Sequence, residues 1–354
     1  MSNEFIRPIR VGVIGAGANT RKFHIPGLQA IEGVEVVSVA NRSRESGQRV
    51  ADEFGIPTVY DDWQDLIAAE DTNAIVIGTW PYMHCQLTLA ALAANKHVMC
   101  EARMAMNATE AHQMRDAARN HPHLTTQIVP APFTFGVDAT VQRLISEGYL
   151  GNLLAIEARS IGGQFINLDG PLLWRHDMDL SGLNIMYMGI WYEAIMRWVG
   201  EATRVTAMGQ TYVKTRKNAA GMLRPVRIPE HLDLIAEMAC GAQMHMQCST
   251  VTGLVGSLDA TLYGDQGTLR IDATDYDNNL LFGGRRGDEA LQPLDIPAEE
   301  RSTWQVEADF VKAIRGEAEI TRTSFADGVK YMEFTQAVNR SLAEGRAVSL
   351  PLLA

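Results

Sequence analysis

An α/β domain of parallel βαβ units, followed by an α+β domain with a large, mainly antiparallel open sheet, is the fold class that the sequence predicts. Three observations predict it. From Ile9 to about Gln127, short β-branched runs alternate with longer amphipathic stretches, the pattern of parallel strands joined by helical crossovers. After Ala131 several runs alternate at period two, as strands with one buried face do. At 354 residues the chain exceeds what one hydrophobic core usually supports, so two domains are expected, 1–127 and 128–354.

In the first domain VGVIGAG, VEVVSVAN, AIVIGTW, HVMCEA and TTQIV read as strands. Between them, QLTLAALAANK and NATEAHQMRDAARN carry apolar residues at helical spacing and end in the Asn, Lys or Arg expected of a last turn. In the second domain, VDATVQRLISEGYLGN and IMYMGIWYEAIMRWVG read as helices, and RVTAMGQTYV, LDLIAEMAC, AQMHMQCST and LDATLYGDQGTLRID as antiparallel strands. The helices QVEADFVKAIRG and SFADGVKYMEFTQAVNRSLAEG close the chain before an extended tail, VSLPLLA. There is no repeat, low-complexity tract or long linker, so the boundary reads as a short crossover and the cleft between domains as the expected ligand position.

Composition narrows the function. A net charge of −11 argues against nucleic acid as a partner, because affinity for a phosphate backbone comes from clustered Lys and Arg. Cys85, Cys100, Cys240 and Cys248 stand singly, without the pairing or His spacing of a zinc site. They read as buried free thiols, and no metal is expected. No apolar run reaches membrane-spanning length and MSNEFIRPIR does not resemble a secretion signal, which makes the cytoplasm the default location.

The chemistry starts at Gly15-Ala16-Gly17-Ala18-Asn19-Thr20, between the strand RVGVIG and a helix. Gly15 permits a tight turn, Gly17 lets the backbone approach a pyrophosphate, and the helix N-terminus offers unpaired N–H groups. Thr20 stands where a third glycine would ease helix packing. The second strand ends at Asn41, where NAD-binding enzymes commonly carry an acid for the ribose hydroxyls. Asn41-Arg42-Ser43-Arg44 instead offers donors that suit a 2′-phosphate. NAD and NADP both stay open, with a lean to NADP.

With these residues in view the chain resembles the glucose–fructose oxidoreductase / inositol dehydrogenase family, Gfo/Idh/MocA. The likeness is carried by VGVIGAGANTRKFHIPGL, IVIGTWPYMHCQLTLAALAANKHVMCEA, ISEGYLGNLLAIEAR, LSGLNIMYMGIWYEAIMRWVG and FADGVKYMEFTQAVNRSLAEGRAVSLP, in order along nearly the whole chain. The resemblance implies an N-terminal Rossmann domain, hydride transfer between nicotinamide and a carbinol carbon, and sugar, sugar-acid or polyol substrates. It also implies a homodimer or homotetramer built on the C-terminal sheet. Members typically carry Glu-Lys-Pro at the end of a Rossmann strand, and this chain reads Glu101-Ala102-Arg103. Glu101 is kept, but Ala102 stands at the Lys position. The family's Asp and His, four residues apart on a helix, correspond to Tyr187 and Trp191, and Thr79-Trp80-Pro81 replaces Thr-Pro-Asn while His84 is kept.

A carbinol oxidation needs a base within hydrogen-bond reach of the hydroxyl. Tyr187, activated by Arg103, is the first candidate, and His176 in the loop Trp174-Arg175-His176 is the second. Trp174, Arg175, Asn184, Trp191 and Tyr192 are candidates for substrate contact, and Trp191, Tyr192, Trp174 and Trp80 could form an aromatic platform for a sugar ring. Trp191 and Tyr192 are equally readable as core residues of an amphipathic helix. Glu193 falls on another face of that helix and reads as structural or as an ion-pair partner of an Arg. The first functional expectation is an NAD(P)-dependent oxidoreductase with a non-standard acid/base set. The alternatives are a lyase or glycosidase working by transient oxidation without net redox change, and a dinucleotide or sugar sensor without catalysis.

Overall fold

The computed structural model describes residues 8–275 and 277–352. In the N-terminal part, β1 (Ile9–Ile14), β2 (Val34–Ala40), β3 (Thr58–Tyr60), β4 (Ala74–Ile77), β5 (His97–Cys100) and β6 (Thr126–Ile128) form one parallel sheet in the order β3-β2-β1-β4-β5-β6. Every residue of β4 is buried, as are Val11, Val13 and Ile14 of β1. Strands covered on both faces have no polar side to present, which is why these segments read as continuous apolar runs. Helices α1 (Ile25–Gln29), α2 (Arg44–Phe54), α3 (Trp63–Ala68), α4 (Pro81–Ala93) and α5 (Ala108–Asn120) alternate with the strands. The order of the strands reverses between β1 and β4, and a crevice opens beyond their C-terminal ends.

Local chemistry sets the helix starts. Ser43, Asp62 and Asn107 cap α2, α3 and α5 by accepting from the amides of Ser46, Gln64 and Glu110 at 3.3, 2.7 and 2.9 Å. Each satisfies one amide that the helix cannot. α4 begins five residues before the QLTLAALAANK stretch, because Pro81 at the first turn needs no N–H and has the φ of a helix.

The second part begins with α6 (Asp138–Ser146), β7 (Leu153–Gly162), a single turn Trp174–His176, α7 (Met178–Ser181) and α8 (Met188–Val199). It continues with β8 (Ala202–Gln210), the hairpin β9 (Thr215–Lys217) and β10 (Leu223–Pro225), β11 (His231–Met238) and β12 (Gln243–Ser249). β13 (Gly256–Gly264), β14 (Gly267–Asp272), β15 (Leu280–Arg285) and β16 (Gln292–Pro293) follow, then α9 (Val306–Ile314), α10 (Phe325–Glu344) and β17 (Val348–Ser349). Nine strands form a sheet ordered β16-β15-β14-β13-β7-β12-β11-β8-β17, antiparallel except for the parallel pair β7–β12. LDATLYGDQGTLRID is two strands, β13 and β14, folded back around Asp265-Gln266. One face is apolar: Leu232, Leu234, Ala236 and Met238 alternate with more exposed residues along β11, as do Met244, Met246 and Cys248 along β12.

The chain divides into a unit of Met1–Pro130 with Gln305–Val329 and a unit of Ala131–Trp304 with Lys330–Ala354. A single boundary at 127 therefore misses that 305–329 returns to the parallel sheet, where the Ile128 amide donates to the Thr323 carbonyl at 3.0 Å. Cys85, Cys100 and Cys248 are buried free thiols; Cys240 is exposed, because it lies in the turn between β11 and β12. Among the described residues no group of three or more His, Cys, Asp or Glu could hold a metal ion, and no helix is long and apolar enough to cross a membrane.

Candidate functional site

A cavity of about 460 Å³ opens at the switch of strand order, lined among others by Gly15, Ala16, Gly17, Asn41, Arg42, Thr79 and Trp80. Gly15 has φ +85°, and a Cβ there would lie 2.6 to 2.9 Å from Thr79 and the Gly78 backbone. A Cβ on Gly78 would meet Thr20 Oγ1 at 2.1 Å and the Gly15 carbonyl at 2.3 Å. The two glycines thus let the ends of β1 and β4 touch, and the packing role of a third glycine falls to Gly78, which accommodates Thr20. A Cβ on Gly17 would meet only the Gly78 oxygen at 3.7 Å, so that position borders open space on the cavity side.

Residues 18–29 are helical, and the Arg21 amide makes the first turn-closing bond, to Gly17 O at 3.0 Å. The amides of Ala18, Asn19 and Thr20 precede that bond and have no acceptor within the helix, the arrangement that binds phosphate. Within Thr20–His24 the helix widens, with Ile25 N–H donating to the Thr20 carbonyl five residues back. A dinucleotide fits these features.

At the end of β2, Asn41 Oδ1 accepts from the Ala16 amide at 2.7 Å and Asn41 Nδ2 donates to the Ser46 carbonyl at 3.2 Å. Its side chain thereby holds the glycine turn. Arg44 is paired with Asp61 at 2.9 Å, whereas Arg42 is exposed and lines the cavity.

Glu101, at the end of β5, is bound from three sides. Its Oε1 accepts from Asn19 Nδ2 and lies 3.0 Å from His24 Nε2, and its Oε2 accepts from the Ala102 amide at 3.1 Å. The other nitrogen of His24 lies 2.5 Å from Glu307 Oε1. Burial alone would drive His24 toward the neutral form, but its hydrogen bonds to Glu101 and Glu307 and their charges hold its pKa up, at about 9. Burial likewise opposes ionisation of Glu101, and the bonds from His24 and Asn19 with the His24 charge hold its pKa below the usual carboxylate range. Gly27 gives Glu307 its room, since a Cβ there would lie 3.0 Å from the carboxylate.

His84 does not border the cavity. It is fully buried, with Nε2 3.0 Å from the Thr79 carbonyl and Nδ1 2.9 Å from the Arg103 carbonyl, so it ties the loops after β4 and β5 together. Burial lowers its pKa, outweighing those carbonyls. His84, which the resemblance would place among the cofactor contacts, thus serves the scaffold. Arg103 is buried, and the Ala102–Arg103 peptide is cis.

In the other unit, Tyr187 immediately precedes α8, is 46% exposed, and meets the edge of Phe133 at 5.8 Å between ring centroids. His176 is half-buried, and burial followed by the charge of Arg216 lowers its pKa. Arg175 lies over the Trp174 ring at 4.3 Å. Asn184 is buried, its Nδ2 donating to the Ser181 carbonyl at 2.7 Å. Trp191 and Tyr192 are core residues, not a platform for a ring. Trp191 is fully buried against Phe133 and Trp198, and Tyr192 stacks on Phe334 at 3.7 Å while its hydroxyl accepts from the Ala202 amide at 2.7 Å. Gly189 allows this close packing, since a Cβ there would lie 3.0 Å from Thr335 Oγ1. Glu193 accepts from the Ala131 amide at 2.8 Å and lies 3.7 Å from Arg197, the ion-pair role expected of it.

Several lining residues escaped sequence reasoning: Ser46, Asp61, Asp62, Trp63, Gly78, Tyr82 and Met83. So did His24 and Glu307, which are separated by 283 positions and share no local pattern. Gly27, three residues after His24, was the one local mark of something packed closely on that helix.

Comparison with known proteins places the two halves. A family model described as "Oxidoreductase family, NAD-binding Rossmann fold" matches residues 9–127, and one described as "GFO/IDH/MocA C-terminal domain" matches 139–270. The chain is 24% identical to bovine (Bos taurus) glucose-fructose oxidoreductase domain-containing protein 2, over 97% of this chain and 94% of that protein. It is 23% identical to levoglucosan dehydrogenase of Pseudarthrobacter phenanthrenivorans, over 88% and 89%. A solved structure of levoglucosan dehydrogenase with NADH and levoglucosan has the same fold, with TM-score 0.84 at 20% identity over 98% of this chain and 100% of that one.

Proposed function

Because the chain belongs to the Gfo/Idh/MocA family of oxidoreductases, we propose that it transfers hydride between NAD(P) and a hydroxyl-bearing carbon of a sugar, sugar acid or related polyol. The observation that carries this reading is the cavity of about 460 Å³ at the strand switch, lined by the glycine turn Gly15-Ala16-Gly17 that leads into the helix starting at Ala18. The substrate class follows from relatives whose names specify sugars, levoglucosan dehydrogenase among them. When bound, the dinucleotide supplies the site that accepts or returns hydride. The amides of Ala18, Asn19 and Thr20, at the start of the helix, would hold its phosphates. Arg42 faces a 2′-phosphate, which favours NADP, since Asn41 is committed to the turn and no acid stands at the end of β2.

Ala102 cannot move a proton, so the acid/base work passes to other side chains. Tyr187 takes the proton of the substrate hydroxyl, and His176 is the next group suited to the task. Trp174 and Arg175 contact the sugar. Assembly into a dimer or tetramer through the open face of the nine-stranded sheet, where Met208 and Ile235 stand exposed, belongs to the same proposal and is checked by sedimentation.

The test is a panel of sugars, glycosides and uronic acids with each cofactor, following nicotinamide reduction and organic products by NMR in the same samples. Reduction matching product confirms a dehydrogenase. Product without net reduction refutes it in favour of transient oxidation, and silence across the panel refutes catalysis of this class in favour of a sensor.

A further inference from the structure

We infer that His24 is a positioning residue of the dinucleotide site, a cationic pin between Glu307 and Glu101 that fixes the Glu101 carboxylate and locks the phosphate-turn helix to the end of β5. The inference rests on the reading of the cavity as a dinucleotide site.

The geometry requires a cation. Both ring nitrogens of the fully buried His24 face carboxylate oxygens, Glu307 Oε1 at 2.5 Å and Glu101 Oε1 at 3.0 Å. A neutral imidazole has one N–H and would set its second nitrogen's lone pair against an anion, whereas imidazolium donates twice. Two buried carboxylates without a cation between them would repel at great cost. The pin also explains three other features. Asn19, one turn earlier on the same helix, donates to the same Glu101 oxygen. Gly27 leaves the space that Glu307 fills. The widened turn Thr20–His24 ends at His24 itself.

Protonation of this one ring therefore joins the helix that presents Ala18, Asn19 and Thr20 to the strand end that presents Glu101. Its pKa of about 9 keeps the pin charged at neutral pH and releases it in mild alkali. Glu101 and Glu307 face it directly; His84, near Glu101, is held toward its neutral form by burial. Burial and the Glu101 charge push Cys100 up, and burial pushes up Asp309, near Glu307. Arg21 and Lys22, on the same turn, are occupied by Glu53 and the Phe23 ring.

The test is fluorescence titration of NADH and NADPH binding to the intact protein between pH 7 and 10, with His24 followed in parallel by imidazole NMR. For a group titrating near pH 9, about one ring in ten stays charged at pH 10, so affinity should fall on the order of tenfold between pH 8 and pH 10, along the His24 titration curve. His24→Gln should bind weakly at every pH and lose this dependence. Glu307→Gln removes one anion and leaves the ring in place, so it should move both the NMR midpoint and the loss of affinity to lower pH. Equal pH dependence in wild type and Glu307→Gln, or a His24 ring already neutral at pH 7, overturns the inference while the cavity still binds dinucleotide. Absence of NADH and NADPH binding to wild type at any pH overturns the reading of the cavity and the inference together.

Discussion

Gly17→Ala and Gly78→Ala add the same methyl group a few ångströms apart and should fail in different ways. At Gly17 the new Cβ would meet only the Gly78 oxygen, at 3.7 Å, an ordinary contact, and φ there is not left-handed. Folding should be unharmed, or gain about 0.4–1 kcal/mol from a less flexible unfolded chain. The methyl would stand where the backbone must approach a pyrophosphate, so NAD(P)H affinity should fall by at least about tenfold, about 1.4 kcal/mol. At Gly78 the Cβ would come within 2.1 Å of Thr20 Oγ1 and 2.3 Å of the Gly15 carbonyl. Thr20 can rotate away, but the carbonyl is backbone and must move with its turn. That overpacking should cost about 1–3 kcal/mol, or about 2–4 °C of Tm per kcal/mol, and should weaken cofactor as well. Urea unfolding and fluorescence titration on both variants separate the outcomes. Wild-type affinity in Gly17→Ala, or wild-type stability in Gly78→Ala, would refute the assignment of the turn.

Three further outcomes are expected. Tyr187→Phe should lower kcat by about 10²–10⁴-fold with dinucleotide affinity unchanged, and undiminished turnover would remove Tyr187 as the base. Arg42→Ala should weaken NADPH about tenfold while leaving NADH alone, measured as the ratio of the two Kd values; equal effects on both would show that no 2′-phosphate is read there. His24, raised from 6.5 to about 9, contributes stability that is complete below pH 6.5 and is lost as pH rises through about 9, worth up to about 3 kcal/mol. Urea unfolding from pH 7 to 10 should therefore fall more steeply for wild type than for His24→Gln, and parallel curves would contradict the charged pin.

What the sequence disclosed follows from the range of the interactions involved. β1, β4 and β5 were readable because strands buried on both sides are mostly apolar, and β2 through its β-branched run, whereas β3, the three residues TVY, is too short to show any period. The glycine turn was readable because backbone conformation leaves a mark within a few residues. Trp191 and Tyr192 were ambiguous because a large amphipathic ring suits a core and a sugar equally, and only their neighbours Trp198 and Phe334 decide. Asn41 was read by analogy with an acid that meets ribose; its partner proved to be the Ala16 amide, a contact across 25 residues that the pattern does not encode. The His24–Glu307 contact had no sequence signal, since it joins two helices brought together only by the finished fold.

The return of residues 305–329 to the parallel-sheet unit bears on how the protein is made. On the ribosome all six strands emerge early, but Thr323, which pairs with Ile128, and Glu307, which anchors His24, follow about 180 residues later. At about 5–20 residues per second that is a wait of roughly 10–40 s. Through that interval His24 and Glu101 lack the second carboxylate, and the Ile128 amide lacks the Thr323 carbonyl. The nascent dinucleotide unit is thus an open fragment until residues 305–329 have been made. A gene cut after Pro130 would yield the glycine turn without its anchor.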